Sequence, residues 1–598
     1  MMSSVMCSPL ASVRLTMFHG RIARRKITKP FAVVTSASSV VSSASSVESS
    51  ASAIDTCVLS VDVGTTALKA MLLAPDGTAI ASTECAYATG TISGDSGLSG
   101  AIEQQPGEWL TSFVAASHDL LDGIDASPAG IALSGQMQNV CLVNDGQSLR
   151  SCLLYSDVRA IAEAEDIAKK LAEDGSSAEA KLANFKGAAA CLCKWLWLAR
   201  NDGETLRKST KLLLGAHSYV AYALCGGDAD ACACDPTTAS TTGLLTPPRL
   251  CGDGTVPAPT WAVESIGAFD GVDPSLLPRL VNGAAPAPIG EVSKSTADAL
   301  NLPASLVGVP VFHGVGDLAS TTVGAVGIGQ GSGASYMYLG TSGWIARCVP
   351  WTDILSADGT DDKYAGDGVF RLLHPDPTVA IVAASMVTAG GNVEWARKTL
   401  LPEGSNTAND LDVRASDAKV GSDGVLYLPH LNGERSPFTD PTARGCLVNL
   451  SPATTTGTMC RAVLEGVAYN YRTLSNSLGM ETTGAIEEPL PMVGGGARSK
   501  LWTSTIADVL HRPIAPKSDA ATVAARGCAA GAFQYLRLWD GADGDEPPGG
   551  YFPGGQDGST DGVVAPNDVN SSVHDGNYAV WSRLHGALKG AGAGDLVR

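Results

Sequence analysis

The sequence predicts an α/β protein made of two halves, each with its own mixed β-sheet. In the first half, two apolar stretches and the segment between them indicate two strands joined by a tight turn: Cys57–Val61, Asp62–Thr66 and Leu68–Leu73. The second half repeats this arrangement with Ser335–Leu339, Gly340–Gly343 and Trp344–Cys348. Strand pairs followed by helices in both halves are typical of α/β folds, and the repeated unit indicates a duplicated domain.

Composition indicates a globular protein and argues against several functional classes. Of the 598 residues, 44% are hydrophobic and 17% are charged, which supplies ample apolar material for a core. No apolar run reaches the roughly 18 residues of a membrane-spanning helix, so we expect no membrane partner. The net charge of −19 argues against a nucleic acid partner. It does not exclude a nucleotide, which backbone N–H groups and metal ions hold locally. The sequence leaves a homodimer open.

The 15 cysteines indicate reduced thiols rather than a disulfide framework, because their number is odd and they are scattered along a long chain. The pairs Cys191/Cys193 and Cys232/Cys234 resemble parts of a zinc site. However, their spacing is C-x-C rather than C-x₂-C, and no neighbouring histidine in the sequence completes a ligand set. We therefore interpret them as buried thiols.

The first 54 residues differ in composition from the rest of the chain. Between Met1 and Val47 there is no acidic residue, and arginine and serine are frequent. An Arg- and Ser-rich, acid-poor leader is typical of an organelle transit peptide. We expect a plastid rather than a mitochondrion as the destination, and a cytoplasmic protein if the leader is instead a disordered tail without a targeting role. On either interpretation, residues 1–54 do not contribute to the fold.

The two turns have the composition of phosphate-binding loops. Gly64 and Gly340 let the backbone approach a phosphate closely, and the hydroxyl and N–H groups of the adjacent Thr and Ser residues can point at its oxygens. One such turn is a weak signal. Two of them, with Asp62 directly before the first, predict that a polyphosphate is held between the two halves.

A cluster of amide side chains, Ser134–Asn139, follows the apolar run Ile131–Leu133. Because each amide both donates and accepts hydrogen bonds, the cluster suits a polyhydroxylated ligand. Asp157 and Arg159 offer a charged pair for the same ligand. An equally good interpretation of these two residues is helix capping and a solvated ion pair, since the periodicity predicts a helix over Ser156–Leu171.

Asp317 is the candidate catalytic residue. It follows the apolar stretch Val309–Phe312 and the turn Gly314–Gly316, which places it at the carboxyl end of a strand, where open α/β sheets bind their ligands. A kinase needs a carboxylate there to take the proton from the attacking hydroxyl. The alternative is an aspartate that caps the following helix.

The segment Pro491–Arg498 is a predicted strand end that runs into three consecutive glycines, and a helix begins after Ser499. Bare backbone lets a flat group such as adenine or ribose lie against it, although an ordinary tight turn has the same pattern. A further helix is predicted over Thr458–Leu478, ending at Gly479. The Gly-, Pro- and Asp-rich stretch 541–566 is interpreted as a surface insertion.

Taken in order, these segments resemble the FGGY family of carbohydrate kinases, and its xylulokinases most closely. The resemblance spans roughly residues 57–590. Eight motifs carry it: Asp62–Lys69, Ser134–Met137, Gly314–Asp317, Leu339–Gly343, Asn432–Pro437, Asp440–Gly445, Arg461–Gly466 and Gly494–Ser499.

The resemblance implies an ATP-dependent carbohydrate kinase that uses Mg²⁺. It also implies two RNase-H-like domains, of the actin and hexokinase ATPase type, that flank a central cleft and here span 55–308 and 309–592. Asp317 would be the general base, and Asp62 and Asp317 would lie at the metal. The ATP-binding residues would be Asp62, Gly64, Thr65, Thr66, Lys69, Gly340, Thr341, Ser342, Gly494, Gly495, Gly496 and Ala497. The sugar would lie near Gln136, Met137, Gln138, Asp157 and Asp317.

The sequence departs from the family pattern at two positions of the sugar pocket and in the segment Ser518–Thr522, where family members tend to have Glu. Xylulokinases usually have His where Gln138 stands and Trp where Tyr155 stands, and both positions fall in the sugar pocket. D-Xylulose is therefore the first candidate substrate, with D-ribulose, sedoheptulose, glycerol or another polyol as alternatives. Two other classes are an inactive regulatory protein that binds sugar or nucleotide, and a chaperone or cytoskeletal ATPase of the same fold. Asp62, Lys69 and Asp317 argue against the former, and the amide cluster argues against the latter.

Overall fold

A computed structural model describes residues 56–591 except 94–99, 124–126, 282–286, 328–332, 357–362, 365–367, 403, 405–406, 481–487, 518–522 and 540–561. The described residues belong to the unit Glu48–Arg598. The transit peptide predicted over residues 1–54 and most of the insertion predicted over 541–566 lie outside them. Of the helices in these ranges, none is long and apolar enough to cross a membrane.

The first large sheet begins with the hairpin that carries the first predicted turn. Its six strands are β1 (Val58–Val63), β2 (Ala67–Leu73), β3 (Ala79–Ala86), β4 (Gly130–Gly135), β5 (Gly290–Glu291) and β6 (Pro310–Gly316). They lie in the order β3-β2-β1-β4-β6-β5. Neighbours among β1, β2 and β3 are antiparallel, whereas β4 is parallel to β1, and β6 to β4. Both faces of β1 are buried, because helices cover the sheet on either side.

The second large sheet repeats this topology. Its strands are β7 (Ser335–Leu339), β8 (Gly343–Pro350), β9 (Val369–Leu373), β10 (Val379–Met386), β11 (Leu490–Val493) and β12 (Ile514–Pro516). Their order is β9-β10-β8-β7-β11-β12, and β11 is parallel to β7. The series β10-β8-β7-β11-β12 thus matches β3-β2-β1-β4-β6 in order and direction. The prediction of two mixed sheets built on a repeated unit is confirmed.

Smaller strands and helices surround the two sheets. A five-stranded path contains Lys211–Gly215, Met137–Asn144, Cys152–Leu153, Ile102–Gln104 and Ile92–Ser93, with Gln147–Ser148 beside it. Two strand pairs are Ala233–Cys234 with Arg279–Leu280 and Leu426–Leu428 with Cys446–Val448. The α-helices are Pro106–Leu121, Ile161–Leu171, Cys191–Asn201, Gly203–Lys208, Ala216–Leu224, Pro236–Thr241, Val263–Ile266, Lys294–Leu300, Asp317–Val326, Gly390–Leu400, Ala408–Ser416, Thr456–Ser477, Lys500–Leu510, Val523–Leu536 and Asp568–Gly590.

One of the two helices predicted from periodicity has its start in a different place. The helix predicted over Ser156–Leu171 begins only at Ile161, whose side chain is exposed. The reason is that the Asp157 carboxylate accepts the Arg159 backbone N–H at 3.2 Å, so the chain forms a side-chain-stabilised turn before the helix. The helix Thr456–Ser477 agrees with its prediction and is followed by Gly479 with φ of 65°.

Two crossing helices close the first sheet and determine where Asp317 points. The helix Asp317–Val326 starts directly at the end of β6 and packs against Val523–Leu536. Contact between them is backbone to backbone, since a Cβ added at Gly527 would lie 1.8 Å from the Ser320 carbonyl oxygen. The first sheet thus includes β6, which lies beyond the boundary expected after residue 308, and it is covered by a helix from near the end of the chain.

Candidate active site

The two predicted turns and the end of β6 border one cavity of about 220 Å³. Most of the predicted site residues line it: Asp62, Gly64, Thr65, Thr66, Lys69, Met137, Gln138, Asp317, Thr341 and Ser342. The predicted residues outside its wall are Gln136, Asp157, Gly340, Gly494, Gly495, Gly496 and Ala497. Residues of both phosphate-type turns therefore line the same cavity as the candidate base. Part of the predicted sugar site and the predicted nucleoside site do not line it.

The first turn is fixed from outside, which leaves its hydroxyl groups free to face the cavity. The Tyr87 hydroxyl donates to the Gly64 carbonyl oxygen at 3.0 Å, and the Gln104 amide donates to the Thr65 carbonyl oxygen at 2.5 Å. Gln136 supports the turn indirectly through Gln104, because its Nε2 donates to Gln104 Oε1 at 2.8 Å. Gln136 is thus a support of the turn in this structure rather than part of the cavity wall.

Asp62 is the last residue but one of β1, next to the first turn and opposite Lys69 in the hairpin register. Its Oδ1 is buried and has no hydrogen-bond partner among the described residues. Burial raises the pKa of Asp62 above its usual range, against the effects of Lys69, His217 and a hydrogen bond with Ser134. An unpartnered buried carboxylate oxygen is costly, so this atom is set up to receive a ligand that the protein itself does not supply.

The second turn is held by the start of the helix Gly390–Leu400. The Ala389 and Gly391 N–H groups donate to the Thr341 carbonyl oxygen at 2.8 and 3.0 Å, and the Gly390 N–H donates to the Gly340 carbonyl oxygen at 2.8 Å. These hydrogen bonds engage the backbone carbonyl oxygens of the turn and hold it against the start of the helix. Thr341 and Ser342 line the same cavity as the residues of the first turn.

Asp317 is the first residue of its helix and directly follows β6, as the strand-end prediction required. Its Oδ1 accepts the Leu318 N–H at 2.7 Å. Burial and the negative charge of Asp62 raise the pKa of Asp317 to about 7, and the Leu318 N–H and the positive charge of Arg435 oppose this rise. A carboxylate in this state takes up and releases a proton near neutral pH.

The glycine at position 316 lets the end of β6, and with it Asp317, lie close to the amide cluster. A Cβ at Gly316 would lie 2.1 Å from Met137 Sδ and 2.7 Å from Thr238 Oγ1, so no other residue fits there without displacing both. The bare backbone lets β6 approach the strand Met137–Asn144 closely. Met137, Gln138 and Asp317 consequently border the same cavity.

The amide of Gln138 faces the cavity without a partner. Its backbone has a φ of 61°, and its Nε2 is buried with no hydrogen bond among the described residues. The fully buried ammonium of Lys194 holds this strained position, because its Nζ donates to the carbonyl oxygens of Gln138 at 2.8 Å and Leu154 at 2.7 Å. Lys194 therefore joins the amide cluster to the segment that carries Tyr155.

Asp157 belongs to a buried ion-pair network rather than to the cavity wall. Its carboxylate pairs with Arg159 at 2.6 Å and accepts the Ile102 N–H at 2.8 Å, and Arg159 also pairs with Glu103 at 2.7 Å. The expected sugar contact of Asp157 is thus replaced by a structural role. Of the two interpretations of Asp157 and Arg159, the ion pair agrees with the structure, but the pair is buried and not solvated.

The three glycines at the end of β11 pack against the second hairpin. A Cβ at Gly494, where φ is 96°, would lie 2.5 Å from the Leu339 carbonyl oxygen. Gly495 faces open space, with no atom within 4 Å of an added Cβ. Gly494 to Ala497 lie beside the cavity, which is lined at this edge by Val493. The geometry leaves room for a flat group on Gly495.

Sequence reasoning assigned no role to several residues that line the cavity. Tyr338 and Trp344 stack at 3.9 Å between ring centroids and form an aromatic wall with Phe370. Arg435 lines the same cavity as Asp317. The motif Asn432–Pro437 was a signal for Arg435, but nothing in its pattern indicated that this residue turns toward β6.

The two carboxylates fit a hard divalent cation. Mg²⁺ prefers carboxylate oxygens and the phosphate oxygens of a bound nucleotide. Asp62 offers a buried oxygen with no partner in the described part of the chain, and its charge and that of Asp317 repel each other in one cavity. A cation held by Asp62 would satisfy that oxygen and relieve the repulsion, so the residues present fit Mg²⁺.

Comparison with known proteins also indicates a carbohydrate kinase. The sequence model for the N-terminal domain of the FGGY family of carbohydrate kinases matches residues 57–324, and the model for the C-terminal domain matches residues 336–533. The xylulose kinase of Staphylococcus xylosus is 26% identical over 478 residues, which are 78% of this chain and 90% of that protein. The xylulose kinase of Streptomyces rubiginosus is 28% identical over 493 residues, 79% of this chain and 87% of that protein.

Solved structures share the fold. A ligand-bound xylulose kinase from Lactobacillus acidophilus superposes with a TM-score of 0.69 at 24% identity, covering 89% of this chain and 98% of that one. A glycerol kinase from Plasmodium falciparum superposes with a TM-score of 0.67 at 17% identity, covering 88% and 98%. The fold is that of two actin- and hexokinase-like domains. Since the two domain matches together span most of the chain, this protein belongs to the FGGY family of carbohydrate kinases.

Proposed function

We propose that this kinase transfers the terminal phosphoryl group of ATP to a ketopentose such as D-xylulose, with Asp317 as the general base. The observation that carries the proposal is the position of Asp317. Its carboxyl group has a pKa near 7 and borders the same cavity as the two phosphate-type turns. The similarity to curated xylulose kinases supports a ketopentose as the acceptor.

The base has the properties that the proposed reaction needs. A general base is most effective when its pKa lies near the working pH, and that of Asp317 is about 7. In the proposed step, a sugar hydroxyl oxygen bonds to the terminal phosphorus while the bond from that phosphorus to ADP breaks. The hydroxyl proton passes to Asp317, which makes the attacking oxygen a better nucleophile.

The turns supply the phosphate contacts. Thr65 and Thr66 of the first turn and Thr341 and Ser342 of the second line the cavity, where their hydroxyl groups can donate to phosphate oxygens, and Lys69 adds a positive charge. Asp62 would hold Mg²⁺, which when bound neutralises charge on the phosphates. Enclosing the phosphates between two domains also excludes water, which would otherwise compete with the sugar as acceptor.

The expected result with a panel of substrates is that one ketopentose gives the highest rate of ADP release in a coupled assay. The panel contains D-xylulose, D-ribulose, sedoheptulose, other polyols and glycerol, because the Gln138 and Tyr155 substitutions alter the sugar side of the cavity. ADP release that does not depend on any sugar would contradict the proposal and favour an ATPase of the same fold. Nucleotide binding without any turnover would favour an inactive binding protein.

Replacing Lys194 with Met should weaken sugar binding while leaving nucleotide binding intact. The variant loses both bonds to the Gln138 and Leu154 carbonyls, and the strained backbone of Gln138 can then relax. We expect the KM for the sugar to rise roughly tenfold, and the free energy of unfolding to fall by about 1–3 kcal/mol because buried carbonyls are left unpaired. Steady-state kinetics against sugar and ATP separately, with thermal unfolding, measure both effects.

Lys211→Met is the matched control for this prediction. Lys211 also donates to two carbonyl oxygens, those of Ser275 at 2.8 Å and Leu277 at 3.2 Å, but it lies away from the cavity. The control should lose some stability and keep both KM values. If Lys194→Met lowers stability in the same way but keeps the sugar KM, Lys194 has no role in positioning the amide cluster.

A further inference from the structure

The segment Asn432–Pro437 presents Arg435 from a rigid backbone. Both neighbours of Arg435 are almost fully buried and anchor the chain. The Glu434 carboxylate accepts the Val387 N–H at 3.1 Å and the Asn470 amide at 2.9 Å, and it also pairs with His430. The Ser436 hydroxyl accepts the Ser385 N–H at 3.0 Å and donates to the Gly368 carbonyl oxygen. With residues 434 and 436 held in this way, the backbone that carries the Arg435 side chain is held in place.

The guanidinium of Arg435 has no protein partner within the described residues. It makes neither an ion pair nor a side-chain hydrogen bond there, and its Nε is buried and unpartnered. Its one ring contact is with Tyr155, at 5.6 Å from Cζ to the ring centroid. Arg435 as a whole is only partly buried, but its Nε is shielded from water, and a shielded polar atom without a partner is costly. The guanidinium is therefore available to form hydrogen bonds with a ligand.

The position of Arg435 indicates which part of the cavity its ligand would occupy. Besides the main cavity, Arg435 lines an adjoining chamber of about 70 Å³. The residues common to both walls are Gln138, Tyr155, Phe370 and Arg435. None of the four phosphate-turn hydroxyls, nor Asp62 or Lys69, lines the chamber. Arg435 thus lies on the side of the cavity that carries the amide cluster, away from the phosphate turns.

Arg435 and Asp317 face one cavity with opposite charges and yet form no ion pair. A gap between a carboxylate and a guanidinium suits a ligand that offers a hydroxyl proton to one and an oxygen acceptor to the other. A polyhydroxylated sugar meets both requirements, since each hydroxyl donates and accepts. A fully ionised phosphoryl group would meet only the second and would be repelled by an ionised Asp317.

We propose that Arg435 is a sugar-binding residue, whose guanidinium donates hydrogen bonds to oxygens of the acceptor sugar while a hydroxyl of the same sugar faces Asp317. This inference rests on the proposed function, because it takes the acceptor to be a sugar. The planar fork of the guanidinium contacts two oxygens at once and so selects among sugars by the arrangement of their oxygens. Gln138 and Tyr155 complete the wall around those oxygens.

The test compares R435M, R435K and R444M in the full-length protein. Arg444 lies in the same loop region, is exposed, and among the described residues donates to the nearby carbonyl oxygens of Pro441 and Ala443, so R444M controls for loss of an arginine there. For R435M we expect the KM for D-xylulose, or for the best sugar of the panel, to rise roughly 10- to 100-fold, with the KM for ATP within about twofold of wild type. R435K should recover part of the loss, because lysine keeps the charge but not the fork. R444M should match wild type.

A second measurement uses no turnover. The shift in melting temperature caused by sugar alone, without nucleotide, should be present in wild type and R444M and absent in R435M. A rise in the KM for ATP with an unchanged sugar KM would mean that the guanidinium binds phosphate, and would overturn the inference. So would sugar kinetics and sugar-induced shifts in R435M that equal those of wild type. If R435M does not fold, R435K must show the raised sugar KM, and a wild-type value for it overturns the inference.

The two proposals fail in different ways. If wild type phosphorylates no sugar of the panel, the proposed function is wrong whatever Arg435 does. If wild type phosphorylates a ketose and R435M does so with the same sugar KM, the proposed function stands and the role of Arg435 is wrong. A wild-type protein that neither turns over nor is stabilised by any sugar overturns both.

Discussion

Asp317→Asn should lower kcat for the best sugar by about 10²–10⁴-fold and leave Mg·ATP binding near the wild-type value. Asparagine keeps the size of the side chain and can still accept the Leu318 N–H, but it cannot take the hydroxyl proton. Nucleotide binding should survive because the residues proposed to contact the phosphates are those of the two turns, and the residue proposed to hold the metal is Asp62. The measurements are kcat for both proteins and the affinity for Mg·ATP by equilibrium titration.

Stability gives Asp317→Asn a second, independent readout. The pKa of Asp317 is raised to about 7 in the folded protein, so the native state binds this proton more tightly than the unfolded chain does. The stability that comes from this proton is present at low pH and is lost as the pH rises from about 4 through about 7. The variant has no such proton to lose. Without added metal, its melting temperature relative to wild type should therefore increase across that window.

A helix-capping role for Asp317 would produce the opposite result. If the side chain served only the start of the helix Asp317–Val326, its replacement would lower stability by about 0.3–1 kcal/mol and leave catalysis unchanged. Asp568→Asn is the matched control, because Asp568 is an exposed acidic residue at the first position of the helix Asp568–Gly590. Near wild-type turnover in a folded Asp317→Asn protein would rule out Asp317 as the base.

The features that could be predicted from the sequence are those encoded locally. The turn at Gly64 and the turn at Gly340 lie between two strands that pair with each other, so a few consecutive residues specify both the hairpin and its phosphate-binding composition. Asp317 was predictable for the same reason, since β6, which includes the Gly314–Gly316 stretch expected to form a turn, runs directly into the helix that begins at Asp317. The repeated hairpin also indicated two sheets, and their common strand order bears this out.

The features that could not be predicted depend on contacts between distant segments. Asp157 looked like a ligand contact because Ile102, which donates to its carboxylate, lies 55 residues away in the sequence. Lys194 gave no signal, because nothing in its helix shows that its ammonium meets Gln138, 56 positions earlier. Arg435 stood within a recognised motif, yet its approach to the cavity depends on how Glu434 and Ser436 are buried. Periodicity gives no information on such pairs.

Asp62→Asn should reduce both turnover and Mg·nucleotide affinity, which separates it from Asp317→Asn. We expect kcat to fall by about 10²–10³-fold, the size of effect seen when one electrostatic contact at a reacting centre is removed. The half-saturating Mg²⁺ concentration should rise, because an amide oxygen carries no net charge to attract the cation. Chelation of Mg²⁺ should abolish the activity of both proteins. Titration of Mg²⁺ at fixed ATP, for wild type and both variants, measures this difference.

The same substitution should also shift the pH dependence of catalysis. The negative charge of Asp62 helps to raise the pKa of Asp317, so removing that charge lets the pKa of Asp317 fall toward its usual range. Asp317 then remains ionised at lower pH, and the acid limb of the kcat/KM profile should move to lower pH although its plateau is reduced. Asp317→Asn should have no such limb. If Asp62→Asn binds Mg·ATP as tightly as wild type and its acid limb is unmoved, Asp62 neither holds the metal nor acts on the base, and its unpartnered Oδ1 must serve another ligand.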